Sequence, residues 1–113
     1  MSKKSGQRPD TLVVTTGRDP HANFGVVNPP VYHASTILYP NYKSLKERDL
    51  PFTYGRRGTP TTAALQTAIT AIEGGFNTAL TPSGLSGVTT ALIAHLRCGD
   101  HVLITDSAYG PTR

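Results

Sequence analysis

The stretch that most constrains the fold runs from Phe76 to Thr105. There an apolar segment, a turn of small residues, a long apolar helix and a second apolar segment follow one another. Thr78-Ala79-Leu80 reads as a strand, Thr81-Pro82-Ser83-Gly84-Leu85-Ser86-Gly87 as a turn opening a helix, and His101-Val102-Leu103-Ile104-Thr105 as the next strand. A strand that passes through a tight turn straight into a helix leaves the first helical N–H groups pointing outward, with the positive end of the helix dipole behind them. Such a place holds an anion, phosphate above all. Gly84 lets the main chain approach a ligand closely, and the Ser83 hydroxyl can cap the helix or add a hydrogen bond to the anion. The same Ser-Gly pattern also serves as an ordinary capped helix start with no ligand. Two named motifs fail on spacing. A dinucleotide fingerprint requires G-x-G-x-x-G, and only Gly84 and Gly87 fall near it. A hydrolase elbow requires G-x-S-x-G, and Gly87 follows Ser86 one place too early.

The helix is expected over about Gly84 to Arg97, with Leu85, Val88, Ala91, Leu92, His95 and Leu96 on a broad face and Ser86, Gly87, Thr89 and Thr90 on the other. Gly99 is its expected C-terminal cap. The loop Asp106 to Gly110 then leaves the carboxyl end of the second strand, the edge at which open parallel sheets take ligands. Tyr109 shares that edge with the Ser83 turn, either to meet a ligand or to cover the sheet.

A second concentrated signal is Phe52-Thr53-Tyr54-Gly55-Arg56-Arg57-Gly58-Thr59-Pro60-Thr61. Thr59 followed by Pro60 is a helix entry with a capping hydroxyl and proline at the first helical position. Leu65, Ala68, Ile69 and Ile72 then recur at helical spacing as one buried stripe, which stops at Gly74-Gly75. Tyr54, Arg56 and Arg57 therefore sit on a glycine-flanked loop just before a helix. Such residues are either solvated or recruited by a phosphate, to which arginine offers a planar fork of donors with a permanent charge.

Upstream of this loop, residues 1 to about 10 are polar and are expected to be mobile. Thr11 to Tyr39 carries Gly17, Pro20, Gly25, Pro29 and Pro30 without sustained helical period, and reads as an extended arm lying on another surface. Ser44 to Arg48 is expected to make one helical turn. His21, His33, His95 and His101 lack metal-ligand spacing, so no metal is expected.

Length and charge set the bounds. At 113 residues and 12.0 kDa, with 37% hydrophobic residues, the chain is one domain at most with a modest core. A parallel sheet that is begun at 78–80 and 101–105 and not continued points to the N-terminal piece of a larger α/β protein, because parallel sheets are normally covered on both faces. The net charge of +4 rests partly on Lys3, Lys4 and Arg8 in the tail, and no basic stripe interleaved with aromatics suggests nucleic acid. Cys98, the one cysteine, excludes an internal disulfide, fits a reducing compartment and is expected to pack rather than to act as a nucleophile. There is no signal-peptide core, and no run approaches the roughly 18 apolar residues of a membrane span, so a cytoplasmic protein is expected.

Three motifs now stand in order: Asn28-Pro29-Pro30-Val31-Tyr32, then Tyr54-Gly55-Arg56-Arg57-Gly58-Thr59-Pro60-Thr61, then Pro82-Ser83-Gly84-Leu85 with Gly99-Asp100-His101-Val102 and Tyr109. Over about residues 10 to 113 this set resembles the N-terminal third of the pyridoxal-phosphate enzymes of cysteine and methionine metabolism. The resemblance implies an aspartate-aminotransferase-like α/β architecture of fold type I. Residues 1–60 would form an N-terminal arm and dimer-contact loop, and 61–113 the truncated start of the large cofactor-binding domain. It implies pyridoxal 5'-phosphate as cofactor, with the amides at Gly84 and Leu85 and the Ser83 turn holding its phosphate and Tyr109 stacked on its ring. Tyr54 and Arg56 would reach the phosphate of a partner subunit in a homo-oligomer, a dimer or tetramer. The implied reaction is carbon–sulfur lysis of a small sulfur amino acid in transsulfuration and methionine biosynthesis. Tyr-Gly-Arg-Arg-Gly-Thr-Pro-Thr looks more like the β-lyases than the γ-synthases and γ-lyases. A γ-type enzyme and a non-catalytic phosphate-binding module remain the alternatives. None of Lys3, Lys4, Lys43 or Lys46 stands in the family's Schiff-base lysine motif, so no catalytic residue is assigned and the 113 residues alone are expected to be inactive.

Overall fold

The computed structural model describes residues 6–113; Lys3 and Lys4 of the tail lie outside the described residues. Four α-helices follow in order, α1 (Pro9–Thr15), α2 (Tyr42–Glu47), α3 (Pro60–Glu73) and α4 (Gly84–His95), and a 3₁₀ turn covers Gly110–Thr112. The chain divides into two compact units at Thr78/Ala79.

In the first unit, α3 is built as its sequence dictates. The Thr59 side chain accepts from the Thr62 amide, the Thr62 hydroxyl accepts from the Thr59 amide, and Pro60 occupies the first turn. At the other end Gly74 takes the left-handed conformation, φ 65°, and the Thr70 carbonyl accepts from the amides of both Gly74 and Gly75. Thr70 and Gln66, one turn apart, then grip the departing chain. The Thr70 and Thr78 hydroxyls lie 2.7 Å apart, and Gln66 Nε2 donates to the Thr78 carbonyl at 2.7 Å.

Helix α1 corrects the expectation of an arm without helix from Thr11 onward. Pro9 starts it and Asp10 places a negative charge in its first turn, both favourable at a helix N-terminus. It packs against α3, with Val13, Thr16 and Gly17 beside Ala64, Leu65 and Ala68, and a Cβ at Gly17 would overlap the Ala64 carbonyl oxygen, so glycine permits the close approach. The threonines and valines between 11 and 16 have poor helix propensity, and packing against α3 outweighs it. The rest of the arm lies on its own chain. The Thr61 hydroxyl donates to the Pro30 carbonyl and accepts from the Tyr32 amide, both at 2.8 Å. Helix α2 begins two residues before the expected turn, because Asn41 caps it by accepting from the Ser44 amide at 2.9 Å.

In the second unit, Ser83 caps α4 and Thr81 Oγ1 donates to the Ser83 carbonyl at 3.1 Å. The helix ends at His95 with Leu96 extended, two residues short of Arg97, and Gly99 is not its cap. Gly99 instead takes φ 97° in a turn closed by Asp100, whose amide donates to the Arg97 carbonyl and whose carboxylate accepts from the Arg97 amide at 2.7 Å.

Two further expectations meet a different outcome. Segments 78–80 and 101–105 have no ladder partner, and among the described residues the one β-pairing is an antiparallel bridge between Thr36 and Tyr54. Strand character requires a neighbouring extended chain to complete its hydrogen bonds, and among the described residues none pairs with either segment. The expected core is also missing: no hydrophobic residue is buried among the described residues, and the α3 stripe at Leu65, Ile69 and Ile72 is 38–50% exposed. Among the described residues, no helix is long and apolar enough to cross a membrane, and no three His, Cys, Asp or Glu side chains gather as metal ligands.

Candidate functional site

The six candidate residues fall into two constellations, Tyr54 and Arg56 in the first unit and Ser83, Gly84, Leu85 and Tyr109 in the second. At α4, Ser83 is extended, with φ −157° and ψ 161°; its Oγ accepts from the Ser86 amide at 3.1 Å and its carbonyl from the Gly87 amide at 3.0 Å. The amides of Gly84 and Leu85, the first two of a 12-residue helix, have no acceptor among the described residues. A Cβ built on Gly84 meets nothing within 4 Å, so the space beside these donors is open. The Ser83 hydroxyl accepts from Ser86 and keeps its own proton for an outside acceptor. Tyr109 stands immediately before the 3₁₀ turn that packs on α4, and the residue is 76% exposed. Beyond it, Arg113 ties the loop down, donating to the Ala108 carbonyl at 3.2 Å and pairing with Asp106 at 3.0 Å.

In the first unit, Tyr54 and Arg56 are placed by the arm. The Gly55 amide donates to the Ser35 carbonyl at 2.7 Å, next to the Thr36–Tyr54 bridge. Only glycine allows this approach, since a Cβ at position 55 would overlap the Ala34 carbonyl. Ser35 Oγ donates to the Tyr54 phenol oxygen at 3.3 Å, and the Arg56 guanidinium carbon sits 5.7 Å from the centre of the Tyr54 ring, within cation–π range. Arg56 has no carboxylate partner among the described residues. Ala34, Ser35, Tyr54, Gly55 and Arg56 together line an open cavity of about 290 Å³. Arg57 is exposed beside them, its amide bonded to the Tyr54 carbonyl at 2.9 Å.

Both donor sets suit a phosphate ester. One offers two free amides at the positive end of a helix, the other a phenol and an unpaired guanidinium, and neither includes a carboxylate. The exposed Tyr109 ring in the second unit suits a flat aromatic body attached to such a phosphate. Ser35, which the sequence does not single out, and Thr61, singled out there only as part of its own motif, hold the arm against the Tyr54 loop and the α3 entry. The signal was present only as two separate motifs, because the contacts join residues 19 to 31 positions apart.

Comparison with known proteins places the sequence in a family. The model of the Cys/Met metabolism PLP-dependent enzymes matches residues 10–113. A Rhizobium johnstonii protein provisionally named a cystathionine beta-lyase is 50% identical over 104 residues, covering 92% of this chain and 26% of that protein. The Salmonella typhimurium cystathionine beta-lyase is 37% identical over 109 residues, covering 92% and 28%. A Mycobacterium tuberculosis cystathionine gamma-synthase is 39% identical over 104 residues, covering 92% and 26%. The chain thus spans about a quarter of the length of these relatives. With the family model covering nearly all of it, this chain belongs to the Cys/Met metabolism enzymes that depend on pyridoxal phosphate, of fold type I.

Proposed function

We propose that the protein carrying this chain is a cystathionine β-lyase, which splits cystathionine with water into homocysteine, pyruvate and ammonia. The observation that carries the reading is the pair of uncommitted amides at Gly84 and Leu85, at the positive end of α4 with open space beside them, in a chain of this family. These amides and the Ser83 hydroxyl hold the cofactor phosphate, and the exposed Tyr109 ring lies against the pyridine ring. Tyr54 and Arg56 reach the phosphate of a partner subunit, which makes the working form a homo-oligomer. When bound, pyridoxal phosphate draws electrons from the bonds at Cα of an amino acid, so that the Cα proton can leave. The residues of this chain bind and orient, and the base for that proton comes from elsewhere, since neither Lys43 nor Lys46 stands in the family's lysine motif. A cytoplasmic setting goes with the free, exposed thiol of Cys98.

The β-type reading is supported by the form of the loop Tyr54 to Thr61 and by the Rhizobium johnstonii relative. The 39% identity to a γ-synthase supports a γ-type enzyme as the second reading, with the same phosphate site. Purified full-length protein given cystathionine and pyridoxal phosphate decides between them. Pyruvate with homocysteine is the expected product; 2-oxobutyrate with cysteine would move the assignment to a γ-lyase, and no cofactor-dependent turnover would overturn the lyase reading.

A further inference from the structure

We infer that Ser35 is a positioning residue for the Tyr54–Arg56 pair, aiming the Tyr54 phenol proton at an oxyanion in the cavity that the three residues line with Ala34 and Gly55. The inference rests on the proposal that Tyr54 and Arg56 bind the cofactor phosphate. A phenol can accept and donate at once. Because Ser35 Oγ donates to the Tyr54 oxygen at 3.3 Å, the phenol's own proton is left for another acceptor, and a donor on its oxygen makes it a stronger donor in turn. The backbone fixes this arrangement from both sides, through the Gly55–Ser35 hydrogen bond of 2.7 Å and the Thr36–Tyr54 bridge. The ring so held is the platform over which Arg56 sits at 5.7 Å. Thr61 anchors the same arm further upstream, so the phenol's direction is set by a strap running from Pro30 to Thr36.

The test is made on the full-length protein, in which apoenzyme is titrated with pyridoxal phosphate and, separately, with pyridoxal, which lacks the phosphate. Ser35→Ala is expected to weaken pyridoxal phosphate about three- to ten-fold, the size of one hydrogen bond, while leaving pyridoxal unchanged. Ser35→Thr keeps the hydroxyl and should restore wild-type affinity. In a Tyr54→Phe background, Ser35→Ala should cost nothing further, which a merely structural role would not reproduce. If Tyr54→Phe weakens pyridoxal phosphate and Ser35→Ala does not, or if Ser35→Ala costs as much in both backgrounds, the positioning role is overturned while the phosphate role of Tyr54 stands. Unchanged affinity in both Tyr54→Phe and Arg56→Ala would overturn the phosphate reading and the inference with it.

Discussion

Gly84→Pro removes one N–H from the phosphate turn and should leave the helix standing. Proline fits the first helical position, where its fixed φ suits the helix and its missing N–H has no helical acceptor to lose. It also demands an extended residue before it, and Ser83 already has φ −157° and ψ 161°. Nothing lies within 4 Å of a Cβ at position 84, so that atom of the ring meets no obstacle. The Ser83 cap, which uses the amides of Ser86 and Gly87, is untouched. What disappears is one hydrogen bond to a charged acceptor, worth about 1.5–3 kcal/mol, or about a 10- to 150-fold loss of pyridoxal phosphate affinity. The assay is equilibrium titration of full-length apoenzyme, with pyridoxal as the phosphate-free comparison and circular dichroism to follow helix content. Unchanged affinity for pyridoxal phosphate in a folded variant would refute the assignment of the Gly84 amide to the phosphate.

Gly55→Ala places a methyl group on the Ala34 carbonyl, which as backbone cannot swing aside, so the Gly55–Ser35 hydrogen bond must break. With the neighbouring Ser35–Tyr54 bond the loss is about 1–3 kcal/mol, seen as roughly 5- to 150-fold faster hydrogen exchange of the position-55 amide, whereas Gly75→Ala, whose Cβ meets only the Asn77 carbonyl at 3.9 Å, should leave that amide's exchange unchanged. Thr59→Ala removes a cap that is 5% exposed and reciprocated by Thr62; it should destabilise the full-length protein by about 0.5–2 kcal/mol, read as a lower denaturant midpoint. The 113 residues expressed alone should bind a hydrophobic dye and melt without a cooperative transition, since no apolar residue is buried among those described; a sharp calorimetric peak would contradict this.

What was legible in the sequence was local. Thr59-Pro60 and Gly74 bound α3, and Ser83-Gly84 opened α4, because a helix end is written in three or four adjacent residues. Helix α1 escaped notice since its valines and threonines argue against helix, and the packing that overrides them comes from α3, some fifty residues on. Gly99 was misplaced for a related reason: a glycine after a helix signals either a cap or a separate turn, and Asp100 closes the turn here. Strands at 78–80 and 101–105 depend on partners that local pattern does not name. At the candidate site, Tyr54, Arg56, Gly84 and Tyr109 stand out in the sequence as candidates by their residue types. The contacts of Ser35 and Thr61 were not legible, because they arise from the fold-back of an arm whose own sequence shows only prolines and polar residues.

The most direct measurement of the account is a crystal structure of the full-length protein grown with pyridoxal phosphate. The account predicts phosphate oxygens within about 3.2 Å of the Gly84 and Leu85 amide nitrogens, Tyr109 against the pyridine ring, and Tyr54 and Arg56 of a neighbouring subunit on that same phosphate. A cofactor phosphate bound elsewhere, with the Gly84 and Leu85 amides facing water or another part of the protein, would contradict it.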